Sequence, residues 1–381
     1  MTRLPAHVMD DAALIRVLDA LTAQGDRALL VGGAVRNALL GQPIDDIDIA
    51  TDAPPQRTVA LARAAGLRAV PTGIDHGTVT LVADGRGFEV TTFRRDVQTD
   101  GRHAVVAFST DLAEDAARRD FTMNALYADR DGTVIDPMGG LPDLAARRLR
   151  FVGDPDARIA EDYLRILRFF RFFARYGQQA DPAAVAACAL HRDGLSRIAR
   201  ERIGAELKKL LAAPDPGPAV GLMAQTGVLA VLLPGATPDR LQALLAAEPA
   251  PGGWLRRLAA LFPATPDLRL SRADQRALTT LHRARGWSLD EAAFRMGADP
   301  ATDHALLAAA DGHPLPADWQ ARIARGADAP LPIAAADLAP LQGSALGRAL
   351  KAAEAAWIAS GFTLPAPALI DAALMAGKDP T

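Results

Sequence analysis

Two aspartates in a short segment of strand character are the residues of this chain best suited to chemistry. Asp46 and Asp48 stand one residue apart within the run 45–49. Successive side chains of a strand point to opposite faces, so both carboxylates are expected on one face, with Ile47 and Ile49 directed to the core. Two carboxylates on one face can hold a magnesium ion, because Mg²⁺ prefers oxygen ligands.

A glycine turn lies shortly before these aspartates. The apolar run 29–31 reaches Gly32 and Gly33 and continues into a short predicted helix that carries Arg36. Backbone N–H groups at such a turn and at the start of a helix bind phosphate, and Arg36 can pair with a triphosphate. The turn and the aspartates together predict nucleotidyl transfer. Taken separately, the aspartates could form a solvated edge and the glycines an ordinary turn.

Glu89 offers a third carboxylate. It lies in the run 88–93, which alternates apolar and polar residues as a strand does. This strand could lie beside the aspartate strand, where a carboxylate could complete a two-metal site. The alternative is a surface strand glutamate with no ligand role.

A second group of charges, Arg118, Arg119 and Asp120, directly precedes an apolar run. Two cations and a carboxylate suit contacts with a phosphate and with a ribose hydroxyl, because guanidinium groups donate hydrogen bonds and a carboxylate accepts them. The alternative is that the group marks the start of a helix, where Asp120 serves only as the cap.

A carboxylate and three arginines follow at helical spacing. Asp162 and Arg165 are three residues apart, hence on one face of a predicted helix, and Arg168 and Arg171 continue the stripe. Cytosine and adenine present an amino donor beside a ring-nitrogen acceptor, whereas guanine and uracil present the reverse order. A carboxylate that only accepts and a guanidinium that only donates could therefore select C and A without a template. The alternative is an intrahelical ion pair on a solvated face.

Length and composition are those of an ordinary soluble protein. With 381 residues, of which 50% are hydrophobic, the chain is expected to form two or three domains with packed cores. It has no apolar run long enough to span a membrane and no signal-peptide pattern, so a cytoplasmic location is expected. The single cysteine, Cys188, excludes an intrachain disulfide and a multi-cysteine zinc site, and is expected to lie in the core.

Basic residues are concentrated in one part of the chain, although the net charge is −3. Local basic density attracts phosphate, so the overall acidity does not exclude RNA as a partner. A merely solvated helix face is the alternative. The first arginines of this basic stretch are Arg147, Arg148, Arg150, Arg158, Arg165, Arg168, Arg171 and Arg175.

The chain divides into a mixed α/β part and a helical remainder. We predict a catalytic head at 1–140, a helical neck at 141–213, and a helical body and tail at 214–381. The apolar residues of the neck's main helix recur at helical spacing and are expected in the core, with Gly177 at its C-cap. The head is expected to contain a helix at 10–24, a strand-turn-helix at 28–40, the aspartate strand at 45–50, a helix at 55–66 and a hairpin of strands 77–82 and 88–93.

These motifs, in this order, resemble one known family: the class II CCA-adding enzymes (tRNA nucleotidyltransferases) and their close relatives, the bacterial poly(A) polymerases. The resemblance covers about residues 28–210. It consists of Gly-Gly-Ala-Val-Arg, Asp-Ile-Asp, Glu-Val-Thr-Thr-Phe-Arg, Arg-Arg-Asp-Phe-Thr-Met-Asn-Ala and Glu-Asp-Tyr-Leu-Arg-Ile-Leu-Arg.

The resemblance implies an α+β fold, with a polymerase-β-like nucleotidyltransferase head followed by an all-helical neck, body and tail. It implies addition of CCA to the tRNA 3′ end from CTP and ATP, with release of pyrophosphate. The tail would hold tRNA, by analogy alone. The site residues it implies are Asp46 and Asp48 for magnesium, Gly33 and Arg36 for the triphosphate, Arg119 and Asp120 for phosphate and ribose, and Asp162 with Arg165, supported by Arg168 and Arg171, for the base. The residue patterns above add Glu89 as a third carboxylate and Gly32 as part of the phosphate-binding turn.

Close relatives with other activities remain alternatives. In the family that the chain resembles, full CCA addition needs a flexible loop, and relatives that add only CC have this loop shortened. The segment between Arg94 and Arg118 is long enough to be the full-length loop. Poly(A) polymerases usually carry a Gly-Arg-Arg-Phe-Arg-like stretch that is absent here. A catalytically inactive RNA-binding module is disfavoured by the two metal carboxylates. One departure is Asn37, where the family often has Asp; its amide is expected to hydrogen-bond locally without loss of activity.

Overall fold

The computed structural model describes residues 2–100 and 103–378. Its backbone contacts divide the chain into two compact units. One comprises Met1–Leu210 with Pro218–Leu232, and the other comprises Leu211–Gly217 with Leu233–Thr381. The division into a head, a neck, and a body with tail at residues 140 and 213 stays a prediction.

The first unit begins with the mixed α/β part that the sequence predicts. Its strands are β1 Ala28–Val31, β2 Asp48–Thr51, β3 Arg68–Gly73, β4 Thr78–Ala83, β5 Arg86–Thr92, β6 Arg94–Asp100, β7 His103–Phe108, β8 Tyr127–Ala128 and β9 Val134–Ile135. Seven of them form one sheet in the order β3-β4-β5-β2-β1-β8-β9. β2 is antiparallel to β1 but parallel to β5, so the aspartate and glutamate strands are direct neighbours.

The helices of this part are short, and some have clear sequence signals at their starts. Asp11 caps the second helix by accepting from the N–H groups of Ala13 and Leu14, and Pro55 opens the fourth. The helices are α1 Ala6–Met9, α2 Ala12–Thr22, α3 Gly33–Leu39, α4 Pro55–Ala64, α5 Leu112–Ala117 and α6 Gly140–Ala145. A single-turn 3₁₀ helix, Thr122–Asn124, follows the Arg-Arg-Asp motif.

The predicted hairpin is present. Residues of β4 alternate between buried and half-buried, and β4 pairs antiparallel with β5. The turn is two residues long, and both Asp84 and Gly85 have positive φ angles, of 50° and 79°. A two-residue turn of this kind matches the right-handed twist of the strands it joins.

The aspartate strand is shorter than the sequence predicts. β2 begins at Asp48, and Asp46 lies in the irregular segment before it. The pairing of β1 with β2 ends at Val31 opposite Asp48, because β1 stops where the chain turns at Gly32. Residues 45–47 therefore have no partner on that side. Ile49 is fully buried as expected, whereas Ile47 is only half-buried.

The segment expected to be a flexible loop, between Arg94 and Arg118, carries regular structure. β6 and β7 form a separate antiparallel pair, and α5 follows it. Residues 101 and 102, which belong to this predicted loop, lie outside the described residues.

The neck residues are helical apart from one short parallel pair of strands. The helices are α7 Pro155–Glu161, α8 Leu164–Tyr176, α9 Pro182–Leu190 and α10 Arg200–Leu211, and the strands are β10 Arg148–Leu149 and β11 Gln179–Ala180. α8 places Ile166, Phe169, Phe170 and Phe173 in the core, as their spacing predicts. Gly177 caps its C-terminus with a negative φ of −83°, so the position does not need the left-handed conformation. Cys188 is fully buried.

The remaining residues are helical. Their helices are α11 Gly217–Gln225, α12 Val228–Leu232, α13 Pro238–Ala247, α14 Trp254–Leu261, α15 Arg272–Arg283, α16 Leu289–Met296, α17 Ala298–Ala310, α18 Trp319–Ala327, α19 Gly343–Ala359 and α20 Ala366–Lys378. Within the second unit, Arg257 is 1% exposed and donates to Glu248 and to the carbonyls of Leu211 and Ala213. Within the described part of the chain, no helix is both long and apolar enough to cross a membrane.

Gly140 fits where no larger residue can, and its replacement should be strongly destabilising. A Cβ atom on this buried glycine would lie 2.1 Å from the carbonyl oxygen of Thr122. Gly140→Ala is therefore expected to lower the free energy of unfolding by ~2 kcal/mol, through overpacking against backbone that cannot rotate away.

Gly221→Ala is the matched control, since the helical Gly221 has no atom within 4 Å of the added methyl group. This change should raise stability by up to about 1 kcal/mol. Thermal unfolding of both variants measures the difference, and an unaltered midpoint for Gly140→Ala would contradict the packing.

Candidate active site

The acidic residues lie in one row across the central sheet. Asp48 pairs with Val31 of β1 on one side and with Glu89 of β5 on the other. Val31 pairs in turn with Tyr127 of β8 and directly precedes the glycine turn. Directly paired residues project to the same face of a sheet. The sheet thus carries Asp48 and Glu89 side by side, next to the turn at Gly32.

The carboxyl group of Asp48 lies in an environment that disfavours its negative charge. Asp48 is exposed, but the atoms packed around it partly desolvate its carboxyl group and raise the pKa above the usual value; the negative charges of Glu89 and Asp46 raise the pKa further, while the Arg119 cation opposes the shift. Like charges at short range disfavour ionisation, and a divalent cation relieves that repulsion. The electrostatic environment of Asp48 therefore fits a divalent cation.

Glu89 does not complete a three-ligand cluster. Among residues 2–100 and 103–378, no three His, Cys, Asp or Glu side chains are grouped so that they could hold a metal ion. Glu89 is close enough to Asp48 to influence its pKa, and it is exposed. Its role as a metal ligand stays a prediction.

Two guanidinium groups flank the glycine turn. A Cβ atom on Gly32 would lie 3.5 Å from Arg119 Nη1, and one on Gly33 would lie 3.7 Å from Arg36 Nη2. Gly32 has φ +67° and ψ −117°, a conformation that favours glycine. Gly32, Gly33 and Arg36, expected at the triphosphate, are thus adjacent to Arg119, which was expected to meet phosphate and ribose.

Arg36 is held from the side of the neck. Its guanidinium is 5% exposed and donates to Asn37 Oδ1, to Asn124 Oδ1 and, at 2.8 Å, to the Tyr176 hydroxyl. The Tyr176 ring centroid lies 4.0 Å from the guanidinium carbon. Burial lowers the pKa of Arg36. Every direct hydrogen-bond partner found for this cation in the described structure is neutral, so its charge remains available for an anion.

Asn37 makes the local hydrogen bonds that were expected of it. Its Oδ1 accepts from Arg36, while its Nδ2 donates to the carbonyl of Pro43 at 2.7 Å. A carboxylate could not donate this second bond. The amide therefore ties Arg36 to the segment that leads to Asp46.

Asp120 joins the head to the neck helix α8. Its Oδ2 accepts from Arg168 Nε at 3.0 Å and also from Arg168 Nη2, while Oδ1 accepts from Asn124 Nδ2. Burial alone would raise the pKa of Asp120, but the Arg168 charge and these hydrogen bonds lower it overall. Asp120 caps no regular helix; it accepts from the N–H of Phe121. Through Asn124 it also reaches Arg36.

Asp162 and Arg165 do not lie on one helix, so the predicted shared helix face is wrong, and the alternative of an intrahelical ion pair between them is wrong as well. Asp162 ends α7 with φ −153° and accepts from the Leu164 N–H, which starts α8. Its carboxylate accepts from Arg202 Nη2 at 2.7 Å. A side chain that caps the next helix cannot lie on that helix.

Arg165 instead binds Glu161 and donates to the Arg158 carbonyl at 2.7 Å. Asp162 and Arg168 nevertheless lie near each other. The pKa of Arg168, which burial alone would lower, is raised overall by the charges of Asp120, Glu206 and Asp162. The expected base-reading residues are thus grouped, although with different partners.

Most arginines of the basic stretch are engaged within the protein. Arg171 pairs with Glu206 at 2.5 Å, and both side chains are largely buried. Other internal ion pairs are Arg150 with Asp143, Arg158 and Arg165 with Glu161, and Arg168 with Asp120. The local basic density therefore mainly balances internal carboxylates, and it is weak evidence for an RNA-binding surface.

Sequence reasoning missed several residues around this site. Asp115 lies three and four residues before Arg118 and Arg119, so the helical spacing of this trio was a usable signal. Arg202 lies 40 residues from Asp162 and offered no local signal. Asn124 belongs to the Arg-Arg-Asp-Phe-Thr-Met-Asn-Ala motif, but its contact with Arg36, like that of Tyr176, is visible only in the tertiary structure.

The Asp120–Arg168 pair should contribute to stability in a pH-dependent way. Because the folded-state pKa of Asp120 is lowered, its contribution is present above the unfolded value of about 3.9 and is lost as the pH falls through the folded value. Asp120→Asn is expected to lower the free energy of unfolding by ~1–3 kcal/mol at pH 7, since Arg168 loses its charged partner.

Urea unfolding of both proteins should be measured from pH 7 down to the lowest pH at which both stay folded. The difference between them should shrink as the solution becomes acidic. A difference that is constant across this range would contradict the ion pair.

The architecture and the site together indicate to which class of proteins this chain belongs. A mixed sheet that carries an acidic pair beside a glycine turn, followed by helices, has the architecture of polymerase-β-like nucleotidyltransferases. Residues 28–150 match the poly A polymerase head domain, and residues 179–239 match a probable RNA and SrmB-binding site of polymerase A. Both the α+β fold and the helical remainder agree with the sequence prediction.

Known relatives narrow the class to a family. The crystal structure of the Bacillus stearothermophilus CCA-adding enzyme in complex with CTP is 31% identical, with a TM-score of 0.75, over 91% of this chain and 92% of that one. This chain belongs to the CCA-adding enzyme family, which includes the bacterial poly(A) polymerases.

Curated relatives are more similar in sequence but over a shorter region. The CCA-adding enzyme of Geobacillus thermodenitrificans is 42% identical over 64% of this chain and 57% of its own length. The mitochondrial CCA tRNA nucleotidyltransferase 1 of Danio rerio is 44% identical over 52% of this chain and 47% of its own length. The chain thus spans about half the length of the curated relatives that it matches.

Proposed function

We propose that this protein adds CCA to the 3′ end of tRNA, using CTP and ATP and magnesium, without a nucleic-acid template. The proposal rests on one observation: Asp48 pairs with the last residue of β1, directly before the Gly32–Gly33 turn. Arg36 and Arg119 lie on either side of this turn. The names of the relatives, CCA-adding enzyme and CCA tRNA nucleotidyltransferase, support the choice within the family.

Asp46 and Asp48 would hold magnesium. When bound, the ion would supply activation of the RNA 3′-hydroxyl and charge neutralisation at the α-phosphate and the departing pyrophosphate. The 3′-oxygen forms a bond to the α-phosphorus, the bond to the β-phosphate oxygen breaks, and the hydroxyl proton passes to solvent. The two carboxylates would contribute oxygen ligands that lie close together. Their proximity costs free energy in the absence of the cation, as the raised pKa of Asp48 indicates.

Arg36 and Arg119 would hold the triphosphate over the glycine turn. Both guanidinium groups lie beside the turn, and the nearest partners of Arg36 are uncharged. A planar guanidinium binds phosphate oxygens through two donors, which fixes orientation as well as position. The same two cations would stabilise the pyrophosphate that leaves.

Asp162 would accept a hydrogen bond from the amino group of cytosine or adenine. Arg165 would donate to the base, and Arg168 and Arg171 would support the base site. Asp162 is held by Arg202 and by the start of α8, so its carboxylate is fixed before a nucleotide arrives. Asp120 would meet the ribose, and its bond to Arg168 connects the ribose and base positions.

The proposed organisation is a catalytic head at 1–140, a base-selecting neck at 141–213, and a body and tail at 214–381 that bind tRNA. A cytoplasmic location is also proposed from the sequence. Poly(A) polymerase and CC- or A-adding activity are the alternatives within the family, and an inactive RNA-binding module is the alternative outside it.

The test uses the purified protein with magnesium chloride and a tRNA that lacks its CCA end. CTP alone, ATP alone or both are supplied, and the product is sized at single-nucleotide resolution. Growth by C, C and A followed by a stop is the expected result. Growth that stops at CC, a lone A, or a long A tail would each replace the proposal with a sibling activity, and no growth would favour the binding module.

A further inference from the structure

One buried carboxylate beside the site has no role in the mechanism above. Asp115 in α5 is 1% exposed. Its Oδ1 accepts from Arg118 Nε at 2.9 Å, and its Oδ2 accepts from Arg119 Nη2 at 3.0 Å and from the Tyr127 hydroxyl at 2.7 Å. Burial alone would raise the pKa of Asp115, but the charges of Arg119 and Arg118 and the tyrosine hydrogen bond lower it overall. The group is therefore a saturated, ionised acceptor.

Tyr127 closes the network. Its side chain is fully buried, and its hydroxyl lies 2.9 Å from Arg119 Nε. Burial raises the pKa of Tyr127, so the phenol stays protonated. Because arginine can only donate, the hydroxyl accepts from Arg119 and donates its single proton to Asp115. The direction of each hydrogen bond in the ring Arg119–Tyr127–Asp115 is thereby determined.

These contacts occupy one edge of the Arg119 guanidinium. Nε and Nη2 are bonded within the network, whereas Nη1 points to the glycine turn, 3.5 Å from a Cβ position on Gly32. Nη1 has no hydrogen-bond partner among the residues that the structure describes. The network therefore directs one donor group of Arg119 to the place where a triphosphate is proposed to bind.

We propose that Asp115 and Tyr127 are positioning residues that hold Arg119 in the orientation that binds the β- and γ-phosphates of the incoming nucleotide. This inference rests on the proposed function. If the network orients Arg119, loss of the Tyr127 hydroxyl should weaken binding of a triphosphate but not of a monophosphate. A network that only stabilised the fold would not produce this difference.

The first measurement compares CTP with CMP by equilibrium dialysis in the presence of magnesium chloride. Tyr127→Phe keeps the ring and removes one oxygen. It should weaken CTP binding about 5- to 10-fold, the effect of one hydrogen bond, and change CMP binding less than about twofold. In steady-state assays the KM for CTP should rise with little change in kcat. An equal loss for CTP and CMP would overturn the proposal.

A double-mutant cycle tests whether Tyr127 acts through Arg119. Arg119→Ala should weaken CTP binding more than Tyr127→Phe does. Adding Tyr127→Phe to Arg119→Ala should then cause no further loss, because the oriented cation is already absent. Effects that multiply in the double variant would show that Tyr127 acts independently and would overturn the proposal.

Asp143→Asn is the matched control. Asp143 is also a buried carboxylate of the first unit, and it accepts from the Thr122 hydroxyl at 2.7 Å and from Arg150 Nε at 2.8 Å. This variant should lose thermal stability yet keep the CTP-to-CMP affinity ratio of the unmodified protein. A changed ratio in this control would mean that any buried network affects the ratio, and would overturn the specific role of Tyr127.

The same data separate the two proposals. If the unmodified protein adds no nucleotide to tRNA but binds CTP more tightly than CMP, the proposed function fails while the affinity ratios still decide the inference. If it binds CTP no more tightly than CMP, no triphosphate site is organised by Arg119, and the inference fails whatever the activity.

Discussion

Asp46→Ala is expected to reduce nucleotide incorporation at least about a thousandfold while tRNA binding is retained. That factor corresponds to ~4 kcal/mol of transition-state stabilisation, within the range expected for loss of a catalytic metal site. Asp46 lies in the irregular segment before β2 and raises the pKa of Asp48, so its carboxylate faces the same space. Incorporation by the assay above and tRNA binding by filter retention measure the two effects.

Asp45→Ala is the control, because Asp45 is the exposed neighbour of Asp46 in the same segment and carries the same charge. Its activity should stay within about twofold of the unmodified protein. Full activity of Asp46→Ala would remove this residue from the metal site. Equal losses in both variants would show that only the net charge of the segment matters.

Asp48→Asn provides a readout of the same site that does not depend on activity. Because the folded-state pKa of Asp48 is raised, ionisation of this group costs folding stability as the pH rises from its unfolded to its folded value. The variant should therefore unfold at a higher temperature than the unmodified protein at pH 7 without metal. This advantage should shrink as the pH falls through the folded-state pKa, and it should be lost below the unfolded value of about 3.9, where the carboxyl becomes protonated in both states. A lower melting temperature at pH 7 would contradict the proposed repulsion.

Asp162→Ala is expected to relax selection of CTP and ATP over UTP and GTP by about 10- to 100-fold, which corresponds to the 1–3 kcal/mol of an unsatisfied buried group. The carboxylate accepts from an amino group and repels a carbonyl oxygen. Asp162→Asn should relax selection further, because its amide can donate to the carbonyl of uracil or guanine. Relative kcat/KM values for the four nucleotides measure the selection.

Asp193→Ala serves as the control for base selection, since Asp193 is a neck aspartate whose side chain is 85% exposed. Selectivity that is unchanged in both Asp162 variants would remove this residue from base reading. The structure adds a second expectation: Arg202→Ala should reproduce part of the relaxation, because Arg202 and not Arg165 holds the Asp162 carboxylate. A fully selective Arg202→Ala variant would show that the carboxylate keeps its place without that partner.

The sequence alone was sufficient to predict those elements whose structure depends on local residue patterns. The period-two alternation of β4 and β5, the glycine turn after an apolar strand, and the helical spacing of the α8 phenylalanines all correspond to observed elements. The ordered motifs also identified the family, which relatives confirm. Each of these features depends on residues that are close in the chain, so a single sequence carries them.

Local sequence patterns gave wrong predictions where a residue distant in the sequence determines the structure. The aspartate strand starts at Asp48 because β1 ends opposite it, and the helical face predicted for Asp162 is interrupted because that side chain caps α8 and binds Arg202. The spacing of residues in the sequence does not show where the neighbouring strand ends. It also does not show which arginine of another helix contacts a given carboxylate.

The sequence by itself determined which chemical groups the site contains: the acidic pair, the glycine turn and the arginines. Only the tertiary structure decided how they are oriented. Arg36 is held through Asn124 and Tyr176, and Arg119 through Asp115 and Tyr127. The physical reason is that a long, flexible cation gains a defined direction only from acceptors around it, and here several of those acceptors come from other parts of the chain.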